Sequence, residues 1–294
     1  MATVLVTGAS GFVGRHVVPA LIDAGHRVRA MTRHPEDYEG PGEAVFGDVH
    51  DPDSLGPALD GADIALYLVH SLGSEDFERL DAEAAEAFGR TAAQAGVSQI
   101  VYLGGLGSDD EELSPHLRSR REVERILGMA GVPVTVLRAA VVIGDGGISW
   151  EITRQLVHNL PAMVVPEWTS TRSQPVALDD VVRYLVGVTG REEAIGRVFE
   201  IGGADVLTYR EMLQQAAEEM RGHGVPIVPV PVLTPRLSSH WIGLVTDVDV
   251  PTAKTLIDSM STEVVQTDTS IRELVPGEPL SYRQAVRLAL AQRL

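Results

Sequence analysis

Val4-Leu5-Val6-Thr7-Gly8-Ala9-Ser10-Gly11-Phe12-Val13-Gly14 decides how the rest of the chain is read. A short apolar run, Val4–Thr7, leads into three glycines spaced G-x-x-G-x-x-G. An amphipathic stretch, Gly14–Ala24, follows and stops at Gly25. The pattern predicts strand, tight turn and helix in immediate succession. Gly8 is expected to make the turn out of the strand, Gly11 to let the backbone approach a pyrophosphate, and Gly14 to pack the helix on the sheet. The helix N-terminus would then offer free N–H groups and its positive dipole end to phosphate oxygens.

Outward from this loop, apolar runs alternate with amphipathic ones. Strands are predicted at Arg27–Met31, Glu43–Phe46, Asp63–Val69, Gln99–Leu103 and Pro133–Leu137. Helices are predicted at Glu75–Ala95, ended by Gly96, and at Pro115–Ala130. Strands separated by helices of this length imply βαβ units and a parallel sheet. Near-continuous apolar strands fit a sheet covered on both faces. The expected fold class is α/β, a doubly wound parallel sheet of the Rossmann kind with a smaller C-terminal lobe. The expected division is 1–145 for the dinucleotide-binding domain and 146–294 for a substrate-side lobe, with residues of about 174–202 returning to the sheet. After residue 145 prolines become frequent, and two capping boxes, Thr208-Tyr209-Arg210-Glu211 and Ser281-Tyr282-Arg283-Gln284, mark helices near 209–221 and 282–293.

Composition narrows the function. The 294 residues carry a net charge of −17, which argues against a sequence-independent grip on nucleic acid or anionic lipid. Cysteine is absent, so no disulfide, thiolate metal site or thiol nucleophile is available. All but one of the 24 basic residues are arginine, Lys254 being the exception. Nine histidines are scattered without an H-x-x-x-H or H-x-H pair, and no metal site is predicted. No apolar run approaches a membrane span. Met1-Ala2-Thr3-Val4 lacks the basic start of a signal peptide, and the cytoplasm is the expected compartment.

The stretch T-G-A-S-G-F-V-G, Thr7–Gly14, resembles the opening of the extended and atypical short-chain dehydrogenase/reductases. Gly47-Asp48-Val49 resembles that superfamily's adenine-contacting segment. Tyr67-Leu68-Val69-His70-Ser71-Leu72-Gly73 stands at the end of its fourth strand. Gln174–Val182 is similar to its P-V-x-V-D-D-V-A segment. Phe199-Glu200-Ile201-Gly202-Gly203, with Leu207–Met212 beyond it, resembles its late strand and helix. The resemblance spans about residues 2–220 and is nearest to the NmrA-like branch, whose members are described as NAD(P)H-binding or as nucleoside-diphosphate-sugar epimerase-like. It implies an NAD(P) site built from Gly8, Ser10, Gly11, Phe12, Val13, Gly14, Asp48, Val49, Leu68, Val69 and His70.

The second strand ends Met31-Thr32-Arg33-His34-Pro35. An NAD site wants an acid here, on the ribose hydroxyls, and the acids come only at Glu36 and Asp37, past the proline. Arg33, beside Thr32, is placed to fork onto a 2′-phosphate, and Arg15 is a second phosphate candidate. NADP(H) is therefore expected over NAD.

The resemblance also implies a Ser and a Tyr-x-x-x-Lys pair at the reaction centre. This chain has neither: no tyrosine is followed four residues later by lysine, and glycines fill the span where the serine is expected, with Ser108 further on. His116-Leu117-Arg118-Ser119-Arg120 stands in the window. His116 and Arg120, four apart, share one helix face. Arg120 is expected to anchor ribose or phosphate, and His116 to exchange a proton. Arg138, Trp150, Arg154 and Trp168 are expected over the nicotinamide, Arg172 and Gln174 near substrate, and Asp179 and Asp180 as caps of the next helix. The acidic run Ser108–Glu112 reads as a solvated loop, and Val225–Val232 as an apolar pocket wall or core.

Three functions compete at this point. The first is an NADP(H)-dependent oxidoreductase acting on a carbonyl, quinone or enone small molecule. The second is a non-catalytic dinucleotide-binding redox sensor with a regulatory protein partner. The third is a nucleoside-diphosphate-sugar epimerase-like enzyme, which needs the missing Tyr-x-x-x-Lys base. A homodimer is compatible with all three.

Overall fold

The computed structural model describes residues 1–71, 73–74, 76–107, 113–230, 246–247 and 250–293. The first half alternates as expected. β1 is Thr3–Thr7, α1 Gly14–Asp23, β2 Arg27–Thr32 and β3 Glu43–Phe46. There follow α2, Pro52–Leu59, β4, Ile64–Tyr67, α3, Phe77–Gln94, and β5, Gln99–Gly105. α4 is Pro115–Leu127 and β6 Val134–Ala139. The α2 helix was not expected. Pro52 begins it, where a missing N–H costs nothing, but Gly56 and Pro57 inside it hide the helical pattern.

The seven strands of the main sheet run in the order Val198–Ile201, β6, β5, β4, β1, β2, β3, and every pairing is parallel. From β1 the chain first builds outward through β2 and β3. It then returns to the other side of β1 for β4, β5 and β6. The reversal leaves a crevice beyond the carboxyl ends of β1 and β4, the place where doubly wound sheets bind ligands. β4, Ile-Ala-Leu-Tyr, is buried at all four positions, as a strand covered on both faces must be.

Each sheet face has its own core. Val4, Val6, Val17, Leu21, Val181 and Leu185 join on one side, and Leu5, Leu55, Leu59, Tyr67, Phe88 and Tyr102 on the other. A third core packs the later elements around Trp150, with Ile152, Met212, Leu213, Ala216 and Tyr282. Its helices include α5, Ile148–Asn159, and two helices, Tyr209–Arg221 and Tyr282–Ala291, opened by complete capping boxes at Thr208 and Ser281. The sequence motif after Gln174 joins this later part to the sheet. Gln174 donates to the Gly203 carbonyl at 2.8 Å and accepts from the Gln266 amide at 3.0 Å. Asp180 accepts from the Leu280 amide and from Arg183, both at 2.7 Å.

The structure departs from the sequence expectation at several positions. Asp179 and Asp180 lie in the first turn of the Leu178–Val188 helix, whose N-cap position is Ala177, and neither caps it. Gln174 is buried in the lobe junction instead of facing a substrate, and Arg172 pairs with Glu263 at 2.8 Å. Trp150 is fully buried core. Arg138 forms a fork with Glu124, and Arg154 one with Glu151. The Ser108–Glu112 loop, Pro231 and Val232, and the Trp168 and Lys254 side chains lie outside the described residues. Among the described residues, no helix is long and apolar enough to cross a membrane.

Candidate active site

The crevice at the sheet reversal holds one cleft with two lobes of cavity. The larger, about 650 Å³, is lined by Ser10, Thr32, Arg33, Asp48, Val49 and His50 among others. The smaller, about 380 Å³, is lined by Phe12, Val13, Gly14, Leu68, His116 and Arg120 among others. Gly8, Gly11, Val69 and His70 border both, so the glycine loop is the bridge between them.

Local chemistry explains the loop. Gly8 has φ +62°, a left-handed conformation that L side chains rarely adopt. At Gly14 a Cβ would stand 2.1 Å from the Gly8 carbonyl oxygen and 2.8 Å from Ala9 Cα, so only glycine lets α1 start there. At Gly11 a Cβ would meet the Gly8 oxygen at 3.1 Å. No side chain caps α1; the Arg15 and His16 amides of its first turn bond to the Gly11 and Val13 carbonyls, and Gly14 borders the cleft. Thr7 Oγ1 accepts from the Leu68 amide at 2.9 Å and locks the loop after β4 beside the glycine turn. A turn built on three glycines, leading into a helix N-terminus without a side-chain cap, fits the pyrophosphate of a dinucleotide.

At the larger end, the Asp48 amide donates to Ser54 Oγ at 2.9 Å, and Asp48 Oδ1 accepts from the His50 amide at 2.9 Å. These bonds hold Asp48 at the wall of the cavity. Arg33 is exposed along it and makes no ion pair among the described residues. Glu36 and Asp37 sit in a one-turn helix outside the lining residues, with Glu36 3.5 Å from His34 Nδ1. Arg15 departs from its expected place. Its guanidinium donates to the Asp145 carbonyl at 2.5 Å and packs on Gly146, and it lines neither cavity. It braces the Gly144–Gly147 turn, against which the Phe12 ring also packs.

At the smaller end, Ser114 accepts from the Leu117 amide at 3.3 Å and caps α4. The cap sets the first turns of α4, from which His116 and Arg120 both reach the cavity. The glycines that stand for the expected serine have a steric reason. A Cβ at Gly105 would lie 2.8 Å from Leu117 Cδ2 and 3.7 Å from Arg120 Cβ, so β5 makes room for α4. Arg120 has no ion pair among the described residues, and its charge reaches His70, His116, Tyr67 and Tyr102. Burial, with Arg120 adding to it, lowers the half-buried His116 to about 3. His70 is exposed at the cleft; desolvation, then Arg120 and His116, moves its pKa down. Both imidazoles are therefore neutral at physiological pH. Burial raises Tyr67 and Tyr102, which sit in the core behind the site.

The remaining wall comes from the later part of the chain: Ile148, Ser149, Tyr209, Leu256, Ser259, Met260 and Val264. Burial pushes the Tyr209 phenol up to about 12. None of these residues was singled out from sequence as part of the site. Tyr209 carries only a helix-start signal, and the apolar residues look like any core residue. The lining as a whole is mostly aliphatic, with Leu103, Leu106, Leu117, Val141 and Val142 on the sheet side.

The comparisons agree with this fold. The profile of a family described as NAD(P)H-binding matches residues 8–161. The chain belongs to that family, an atypical branch of the short-chain dehydrogenase/reductases. A ceramide reductase of Caulobacter vibrioides is 29% identical over 74% of this chain and 70% of its own length. A (4-alkanoyl-5-oxo-2,5-dihydrofuran-3-yl)methyl phosphate reductase of Streptomyces griseus is 31% identical over 76% of this chain and 75% of its own. Among solved structures, the Citrobacter sp. triphenylmethane reductase complexed with NADP(H) superposes with a TM-score of 0.79 at 19% identity, covering 97% of this chain and 99% of that one. An Escherichia coli NADPH-dependent quinone oxidoreductase complexed with NADPH gives 0.78 at 19% identity, over 97% and 98%.

Proposed function

We propose that this protein is an NADP(H)-dependent reductase of small conjugated acceptors, quinones or enones, that works without a tyrosine–lysine acid. The observation that carries this reading is the composition of the smaller cavity. It has aliphatic walls, two neutral imidazoles and, beside the glycine loop, one guanidinium with no ion pair among the described residues. The larger cavity would hold the adenosine half of the cofactor, with Asp48 toward the adenine and Arg33 toward a 2′-phosphate. The smaller one would take the nicotinamide half together with the acceptor. When bound, the reduced nicotinamide supplies a hydride.

The protein's part follows from its side chains. Hydride delivery to a C=O or C=C–C=O system leaves negative charge on oxygen. Arg120 stabilises that charge, but a guanidinium is no proton donor to an alkoxide or enolate. His116, neutral, donates a hydrogen bond from its N–H and is a weak acid in that state. A conjugated acceptor spreads its charge and needs little proton transfer at the moment of reaction, and the product oxygen then takes its proton from water. A saturated ketone gains no such relief. The aliphatic walls select flat or apolar acceptors and exclude water from the reacting carbon.

The relatives' names support reduction as the reaction class: they include reductases of ceramide and of an alkanoyl furanone phosphate, and the structural neighbours a quinone oxidoreductase. The test is NADPH consumption over a panel of quinones, enones and saturated aldehydes and ketones. Quinones or enones should turn over at least about tenfold faster than saturated carbonyls, a difference of about 1.4 kcal/mol in barrier. Faster turnover of saturated carbonyls would overturn the reading.

A further inference from the structure

Asp81 lies on α3, outside both cavities, and is only 6% exposed. Its Oδ1 accepts from the Ser71 amide at 2.8 Å, and its Oδ2 from Ser119 Oγ at 3.3 Å. It makes no ion pair among the described residues. A buried carboxylate without a cation is costly, so its hydrogen bonds matter. Their placement is specific. Ser71 directly follows His70, on the loop that ends β4. Ser119 directly precedes Arg120 and lies one turn beyond His116 on α4. One buried group thus joins the two walls that carry every charged or imidazole side chain of the smaller cavity.

We propose that Asp81 is a positioning residue, which sets the His70 loop against the His116 and Arg120 face of α4. In its effect on turnover this rests on the reductase reading above. The Ser71 amide only donates, whereas the Ser119 hydroxyl donates to the carboxylate but can also accept. Asparagine can therefore keep both links, its oxygen on the Ser71 amide and its NH2 on Ser119 Oγ. Asp81→Leu is close in size and breaks both.

The experiment is amide hydrogen exchange on the full chain without cofactor, followed by single-turnover kinetics with NADPH and a quinone. Asp81→Leu should accelerate exchange about tenfold in residues 67–71 and 115–121 together and leave the sheet core unchanged. Ser119→Ala, a milder variant that keeps the fold should Asp81→Leu not, should accelerate only residues 115–121. The hydride-transfer rate of Asp81→Leu should fall about tenfold with the NADPH dissociation constant within about twofold. Combined with His116→Ala, Asp81→Leu should cost clearly less than the product of the two single effects, because part of its effect passes through that residue. Unchanged exchange in both segments, or equal acceleration throughout the chain, overturns the proposal, as does a fully additive double variant. If the unaltered protein reduces no acceptor, the reductase reading falls, and the exchange in the two segments still decides the role of Asp81.

Discussion

Arg33 and Arg15 carry the same charge and flank the same loop, yet the fold uses them differently. Arg33 lines the larger cavity free of any ion pair among the described residues, whereas Arg15 is spent on the Asp145 carbonyl. Arg33→Ala should weaken NADPH binding about tenfold or more, the range expected for losing a charge-assisted contact, and leave NADH binding almost unchanged. Titration calorimetry with both cofactors reads the difference, and equal losses for the two would refute the 2′-phosphate role. Arg15→Ala should affect both cofactors alike, through the loop. At His116 the sign of the pH effect is set by its lowered pKa. The unfolded chain protonates it near pH 6.5 and the folded one only near 3, so between those values the unfolded state binds more protons. Stability from this residue is complete above about pH 6.5 and declines as the pH falls through that window. His116→Asn should therefore lose less melting temperature between neutral pH and the acid range than the unaltered protein. A steeper loss would contradict the assignment. At this scale the glycine spacing and the His116–Arg120 pair were readable, because both are local patterns. The direction of Arg15 was not, since it depends on a turn 130 residues away in sequence.

Among the elements, α4 and β5 define the departure from the superfamily's usual centre. Gly105 gives up the side chain that a serine would place there, and Leu117 and Arg120 of α4 occupy the space. Gly105→Ser should not restore a conventional site. With its Cβ 2.8 Å from Leu117 Cδ2, it should overpack the joint, destabilise the protein by about 1–3 kcal/mol and displace Arg120 from the cavity. Denaturant unfolding and acceptor reduction measure the two effects, and a stable variant with raised activity would contradict the packing account. The capping boxes were legible for a physical reason: Thr208 and Glu211 satisfy each other's backbone amides, and the residue types alone announce it. Thr208→Ala should cost about 1 kcal/mol of stability, with cofactor affinity unchanged. The α2 helix escaped notice because its helix signal is overwritten by a glycine and a proline, and burial of Leu55 and Leu59 against the sheet supplies what propensity lacks.

For the whole molecule, the sheet order decides where chemistry happens. Strand alternation made the parallel sheet readable, and the reversal at β1 then locates the cleft with no appeal to particular side chains. The far wall of the smaller cavity was not readable, because Tyr209, Leu256, Met260 and Val264 arrive from segments that share no motif and meet only in three dimensions. The net charge of −17 belongs to the molecule as a whole. It coexists with Arg33 at one end of the cleft and Arg120 at the other, neither in an ion pair among the described residues. On the proposed reading, this cleft moves a hydride without a strong internal acid. The direct test is a single-turnover measurement: protein saturated with NADPH is mixed with a quinone or, separately, with a saturated ketone, and the loss of reduced nicotinamide is followed across neutral pH. Rapid reduction of the quinone, little dependence on pH above about 6.5, and a much slower ketone reaction are predicted. Tight NADPH binding with no oxidation by any acceptor would contradict the claim and leave the protein a dinucleotide-binding sensor.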